Sequence, residues 1–200
     1  MKNKKTNLIA VVAVVVVAVL GLFAGYAWGD NKSDNGTSSS APALSSVADR
    51  ASATGHNAAD GRFAMMMTEH HTQAIEMAKL APSRASSQQV KDLAAKIEAA
   101  QGPEIDKMAG WMDDWGTSGD MSNMHMDGQM SASDMKSLQS SSGGAFDKML
   151  LQMMIQHHEG ATKMAASELK AGKNGDAMAL AASIMVSQQG EISQMKSLLN

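Results

Sequence analysis

The chain has 200 residues, with 17 basic and 20 acidic side chains, 19 methionines and no cysteine. Without cysteine it can form neither disulfides nor thiolate metal sites. A net charge of −3, no basic stripe and only 4% aromatic residues exclude a nucleic-acid surface.

Lys2, Lys4 and Lys5 precede an uncharged apolar run of 21 residues, Leu8 to Trp28. As a helix rising ~1.5 Å per residue, this run spans the ~30 Å hydrocarbon core of a bilayer. The lysines stay on the cytoplasmic side, so the rest of the chain faces outward. Residues 1–29 therefore read as a single-pass anchor in the cell membrane, with an extracytoplasmic domain behind it. Gly25 and Ala27 offer the alternative of a cleaved signal and a secreted product. The run is longer than the ~7–15 residues of a signal core, which favours the anchor.

Residues 30–58 are Ser, Ala, Asn, Asp and Gly with almost no large apolar side chain. Such a segment buries too little surface to offset its ordering entropy and reads as a flexible tether. The three leading lysines mask the more acidic balance beyond the span, 14 basic against 20 acidic residues.

Residues 59–200 contain an internal duplication at a constant offset of 87. Met66, Met67, His70, His71, Ala74, Met77 and Ala78 recur as Met153, Met154, His157, His158, Ala161, Met164 and Ala165. The same offset carries Ile97, Gln101, Glu104, Ile105 and Met108 onto Ile184, Gln188, Glu191, Ile192 and Met195. Repeats of about 63–112 and 150–199 each read as a helical hairpin.

In the first repeat, Phe63, Met67, His70, Ala74, Met77 and Ala81 fall at spacings of four and three, the mark of one inward helical stripe. Pro82 and Ser83 break that helix. Ser86 or Ser87 then caps a second one running past Met108 to Trp111, with a kink expected at Gly102 and Pro103. The second repeat starts near Phe146, breaks at Gly172 to Gly175 and resumes from Asp176 to Leu199. Strand signals are absent. Two hairpins joined by a crossover, residues 116–144, predict an all-α four-helix bundle with pseudo-twofold symmetry.

Each Met-Met-x-x-His-His motif places thioethers and an imidazole on one helix face, because residues three and four apart are neighbours. His70 and His157 fall on the inward stripe, and the repeat symmetry carries them towards each other. Soft thioethers beside imidazoles suit Cu(I) or Ag(I). A buried histidine is more often simply hydrogen-bonded, and methionine at helical spacing is more often packing. Two such motifs in register, each burying neutral imidazoles at a desolvation cost, favour a ligand role.

Glu104 and Glu191, with Gln101 and Gln188, are either solvated or partners that orient the histidines. Di-iron bundles carry Glu-x-x-His on two helices, whereas the corresponding slots here begin with Met67 and Met154. This argues against iron. The crossover holds Met121, Met124, His125, Met126 and Met130, the donors a flexible chain needs to wrap Cu(I), and reads as a capture site that buries little apolar area. His56 is isolated and reads as a surface residue.

The segments Met65–Ala78 and Met153–Ala165, with Gln101-x-x-Glu104-Ile105-x-x-Met108-x-x-Trp111, resemble the hallmark of a bacterial family, the domain of unknown function numbered three hundred and five. The resemblance covers residues 59–200. It implies a ferritin-like bundle, export, and copper binding in copper homeostasis or resistance.

The reading is an exported, membrane-tethered protein that sequesters Cu(I) or hands it to a copper-exchanging partner. Its core ligands are His70, His71, His157, His158, Met66, Met67, Met77, Met153, Met154 and Met164. It is not read as an enzyme. A copper or di-iron oxidase in the bundle core, and a metal-free envelope interaction module, are the alternatives. The oligomeric state is left open.

Overall fold

The computed structural model describes residues 55–119 and 126–200. The apolar run Leu8 to Trp28, most of the tether, and Met121, Met124 and His125 lie outside them. Among the described residues the secondary structure is helical throughout, and no helix is long and apolar enough to cross a membrane.

Helix α1 (Ala58–Ala78) opens on a reciprocal cap in which the Asn57 side chain accepts from Ala59 and Asp60 while Asp60 accepts from the Asn57 backbone. One turn, α2 (Ala81–Arg84), carries Pro82 in its first turn and leads to α3 (Gln88–Trp115), whose first turn is capped by Ser87. α3 runs through Gly102 and Pro103 as one helix. Ala99, whose carbonyl Pro103 cannot bond, and Pro103 itself are exposed, so water can satisfy that group. Gly116, at φ +61°, ends the helix in the left-handed conformation that a Cβ would strain.

The crossover is more ordered than its composition suggests. Met126 to Met130 cross α5 as a strap that turns at Asp127 and Gly128, α4 (Ala132–Ser140) follows behind a Ser131–Asp134 capping box, and Met126, Met130 and Leu138 are buried. The expectation that this connection adds little buried apolar area is therefore corrected: Met126, Met130 and Leu138 lie in the core, where the hydrophobic effect puts them. α5 (Gly143–Ala171) and α6 (Gly175–Leu198, capped by Asn174) complete the bundle.

Helices α1 and α3 pair, as do α5 and α6, and the two hairpins meet chiefly along α1 and α5. A reciprocal pair of aspartates joins them. Asp60 of the first hairpin accepts from the backbone N–H groups of Lys173 (2.9 Å) and Asn174 (2.8 Å) in the second. Its counterpart at the repeat offset, Asp147, accepts from those of Ser86 (3.1 Å) and Ser87 (2.9 Å) in the first. Each hairpin thus ties down the loop of the other, satisfying amide donors at a helix start.

The core is layered. One apolar cluster holds Ala74, Met77, Ile97, Met154 and Ile192, the other Met67, Met108, Ala161 and Ile184. Between them, on all four long helices, lies a polar stratum of His70, His71, Gln101, His157, His158 and Gln188, all at most 3% exposed.

Candidate metal centre

The polar stratum follows from the sequence period. On α1, His70 sits one turn after Met67 and one before Ala74, so it shares the inward stripe; on α5, His157 sits likewise between Met154 and Ala161. The two rings stack with centroids 3.6 Å apart and planes tilted 35°. Two imidazolium ions could not sit so close in a dry core. Burial, reinforced by the charge His71 would add, pushes His70 down to about 3. Burial and the neighbouring imidazoles push His157 well below its ordinary value as well. Both rings are neutral.

The hydrogen bonds then determine which ring nitrogens carry lone pairs. His70 Nε2 lies 3.2 Å from the Asp127 carbonyl oxygen, which can only accept, so Nε2 holds the proton and Nδ1 is left without a partner. His71 Nε2 donates to Glu104 (2.8 Å) and His158 Nε2 to Glu191 (2.6 Å), and again each Nδ1 has no partner. Neither ring nitrogen of His157 meets hydrogen-bond geometry, and the amides of Gln101 and Gln188 are unpartnered too. Native cores pair nearly all buried polar atoms with protein or water, so this level of the bundle concentrates groups able to bind water or an ion.

A carboxylate behind an imidazole is the usual device for aiming a histidine at a metal, and Glu104 and Glu191 occupy that position. The stratum is electron-rich: neutral nitrogen lone pairs, amide oxygens, and the thioethers of Met67 and Met154 one turn away. Among the described residues no three His, Asp or Glu side chains converge into a ready-made cage, so an ion held here would need the thioethers as well as the imidazoles.

The remaining sequence-expected ligands are dispersed. Met77 lies seven residues beyond His70, about 10 Å along the helix, and packs in an apolar cluster with Met153. Met66 and Met164 line a separate cavity between α1 and α5. Met126 and Met130 are buried in the strap, which the Gln73 side chain grips by donating to the Met130 carbonyl (2.9 Å) and accepting from its N–H (2.7 Å). A Cβ on Gly160 would collide with the Asp127 carbonyl, so the strap can cross α5 only because that residue is glycine. His56 is exposed and stacks on Trp115 with centroids 4.9 Å apart.

Sequence reasoning missed Gln73, Asp127 and Gly160, because their roles depend on where the strap lands. It also missed Asp60 and Asp147, although these share the offset of 87 and could have been found by extending the repeat towards the N-terminus. Glu168 had no repeat signal. It is 2% exposed beside Asp60, and burial with that neighbouring carboxylate raises it to about 7. Burial would raise Asp60 too, but the backbone N–H groups of Asn174, Asn57 and Lys173 hold it below the ordinary carboxylate range.

Residues 60–199 match the family described as Domain of unknown function (DUF305). A DUF305 protein from Streptomyces coelicolor, of provisional secreted-protein designation, superposes with a TM-score of 0.66 at 34% identity, over 70% of this chain and 91% of that one. A DUF305 fragment from Deinococcus radiodurans gives 0.65 at 27% identity, over 72% and 96%. CopM in its Cu(I)-bound form gives 0.59 at 31% identity, over 70% and 94%; Cu(II)-bound and Ag-bound forms of CopM also match. The sequence matches none of the curated proteins.

Proposed function

This chain belongs to the DUF305 family, and from that premise we propose that its bundle binds copper as Cu(I) in the polar stratum, to sequester it or pass it on. The carrying observation is the set of buried imidazole nitrogens on His70, His71, His157 and His158 that meet no protein partner. Thioethers and neutral imidazoles favour a soft monovalent ion, and CopM's Cu(I)- and Ag-bound forms support that choice. His70, His71, His157 and His158 with Met67 and Met154 are the ligand set; Glu104 and Glu191 aim the rings. Met77 and Met153 shape the adjacent core, and Met126 and Met130 close it. Met121, Met124 and His125, just before the strap, would deliver the ion to it. The Leu8 to Trp28 run would hold the domain on the outer side of the membrane, where a copper-exchanging protein could receive the metal. The provisional secreted-protein designation of the Streptomyces coelicolor relative agrees with that side.

The test is an anaerobic Cu(I) titration of the full chain against a His70→Leu/His157→Leu variant. Leucine fills a comparable volume and removes orphaned polar atoms, so the metal-free variant should melt no lower than the parent while losing most of its Cu(I) affinity. A variant that binds Cu(I) as tightly as the parent would end the core-site reading.

A further inference from the structure

The duplication supplies an internal control. Ala59, Phe63, Met66, Met164, Ser167 and Glu168 line a cavity of about 250 Å³ between α1 and α5. At the repeat offset their counterparts are Phe146, Leu150, Met153, Met77, Leu80 and Ala81. Those counterparts fill the same framework with apolar side chains, Phe146, Met77 and Ala81 being fully buried. In one half of the molecule the position is solid core. In the other, Phe has become Ala, Leu has become Ser, and Ala has become Glu, so a void has opened and acquired a carboxyl group.

That carboxyl is built in. Glu168 is 2% exposed, and neither of its oxygens meets an N–H or O–H donor. Its polar neighbour is the Asp60 carboxylate, which accepts from backbone N–H groups and also from Glu168 when that carboxyl holds its proton. A Cβ on Gly172 would collide with the Glu168 carboxyl, and the counterpart of Gly172 is Ala85. The glycine makes the room that the glutamate occupies. Arg62 also lines the cavity but is exposed, and among the described residues it forms no ion pair with Glu168.

We infer that this cavity is a second metal site, separate from the histidine stratum, in which the Met66 and Met164 thioethers and the Glu168 carboxylate take a soft monovalent cation such as Ag(I) or Cu(I). The donor set dictates the class: two thioethers are poor ligands for hard divalent ions, and one carboxylate balances a single positive charge. Once ionised, Glu168 faces the Asp60 carboxylate with no donor of its own, and a cation relieves that cost. The inference rests on the proposed function only for the kind of metal; the site stands on its own residues.

The experiment is an Ag(I) titration of the full chain in detergent micelles, in chloride-free buffer, followed by NMR of methionine methyl groups labelled with carbon-13. Met66→Leu and Met164→Leu identify the two signals. In the His70→Leu/His157→Leu background both signals should shift together and saturably, and Glu168→Gln should weaken that event by about tenfold while the fold is kept. Glutamine can donate to Asp60, so the variant does not rely on an ionised side chain to stay folded. Signals that do not move, or that move equally with Glu168→Gln, would overturn the site. If only the Met67 and Met154 methyls respond in the parent, the cavity site falls and the stratum stands; if only Met66 and Met164 respond, the reverse holds.

Discussion

His70 and His157 are neutral in the folded chain, whereas in an unfolded chain a histidine takes up a proton near pH 6.5. Below that pH the unfolded state binds protons that the folded state does not, so stability falls as pH drops from about 6.5 towards the depressed folded values. Each histidine contributes a slope of about 1.4 kcal/mol per pH unit in that window. Glu168 works the other way between its ordinary value of 4.5 and about 7, because the folded state keeps its proton longer. Two histidines outweigh one glutamate, and thermal melts of the metal-free protein should drop between pH 6.5 and 5. The His70→Leu/His157→Leu variant should lose that drop and, with Glu168 alone acting, melt slightly higher as pH falls; if it keeps the drop, other groups set the acid response. Glu104 and Glu191 give a second expectation at this scale. Glu104→Gln leaves a side chain that can present its amide instead of a carboxylate to His71 Nε2, so the ring is no longer held in one tautomer. Cu(I) affinity should fall by about tenfold or more with little change in helix content by circular dichroism. An unchanged affinity would make the carboxylate a solubilising group.

Among the elements, the strap from Met126 to Met130 departs most from expectation. Gly160→Ala should push the Asp127 carbonyl off α5 and loosen its hydrogen bond to His70, at a cost of about 1–3 kcal/mol. Deleting residues 126–130 should lower the melting temperature too, since two buried methionines and the Gln73 clamp go with them. Denaturant unfolding checks both, and a deletion with parental stability would mean that the strap is not part of the core. The four long helices were legible because the inward stripe recurs at the helical period in both repeats, and the facing of His70 and His157 followed from that stripe. The strap was not legible. Its methionines look alike as ligands or as core, and only the position of Gly160 beneath it separates the two. The cavity at Glu168 was hidden for a related reason: a repeat search rewards matches, and this site consists of positions where the halves disagree. Pro103 leaves α3 in one piece because the carbonyl it cannot bond lies on the wet side of the helix, where water can satisfy it.

At the scale of the whole molecule, two hairpins that each bury one apolar face are held in register by the Asp60 and Asp147 contacts. Asp147→Ala strands the backbone N–H groups of Ser86 and Ser87 and should cost about 3 kcal/mol, measurable by urea unfolding. Asp60→Ala should behave alike for Lys173 and Asn174, and equal loss from both would mark the two contacts as equivalent. A variant that unfolds like the parent would show that the loops need no such tie. These ties also bear on descent. A contact in which A holds B while B holds A by the same residue is the bonding pattern of an isologous pair, the kind that closes a homodimer about a twofold axis. The chain has the form of such a dimer with its two subunits joined end to end. Joined in this way, the two halves need not stay identical: one carries a phenylalanine plug where the other has a hollow with an acid inside.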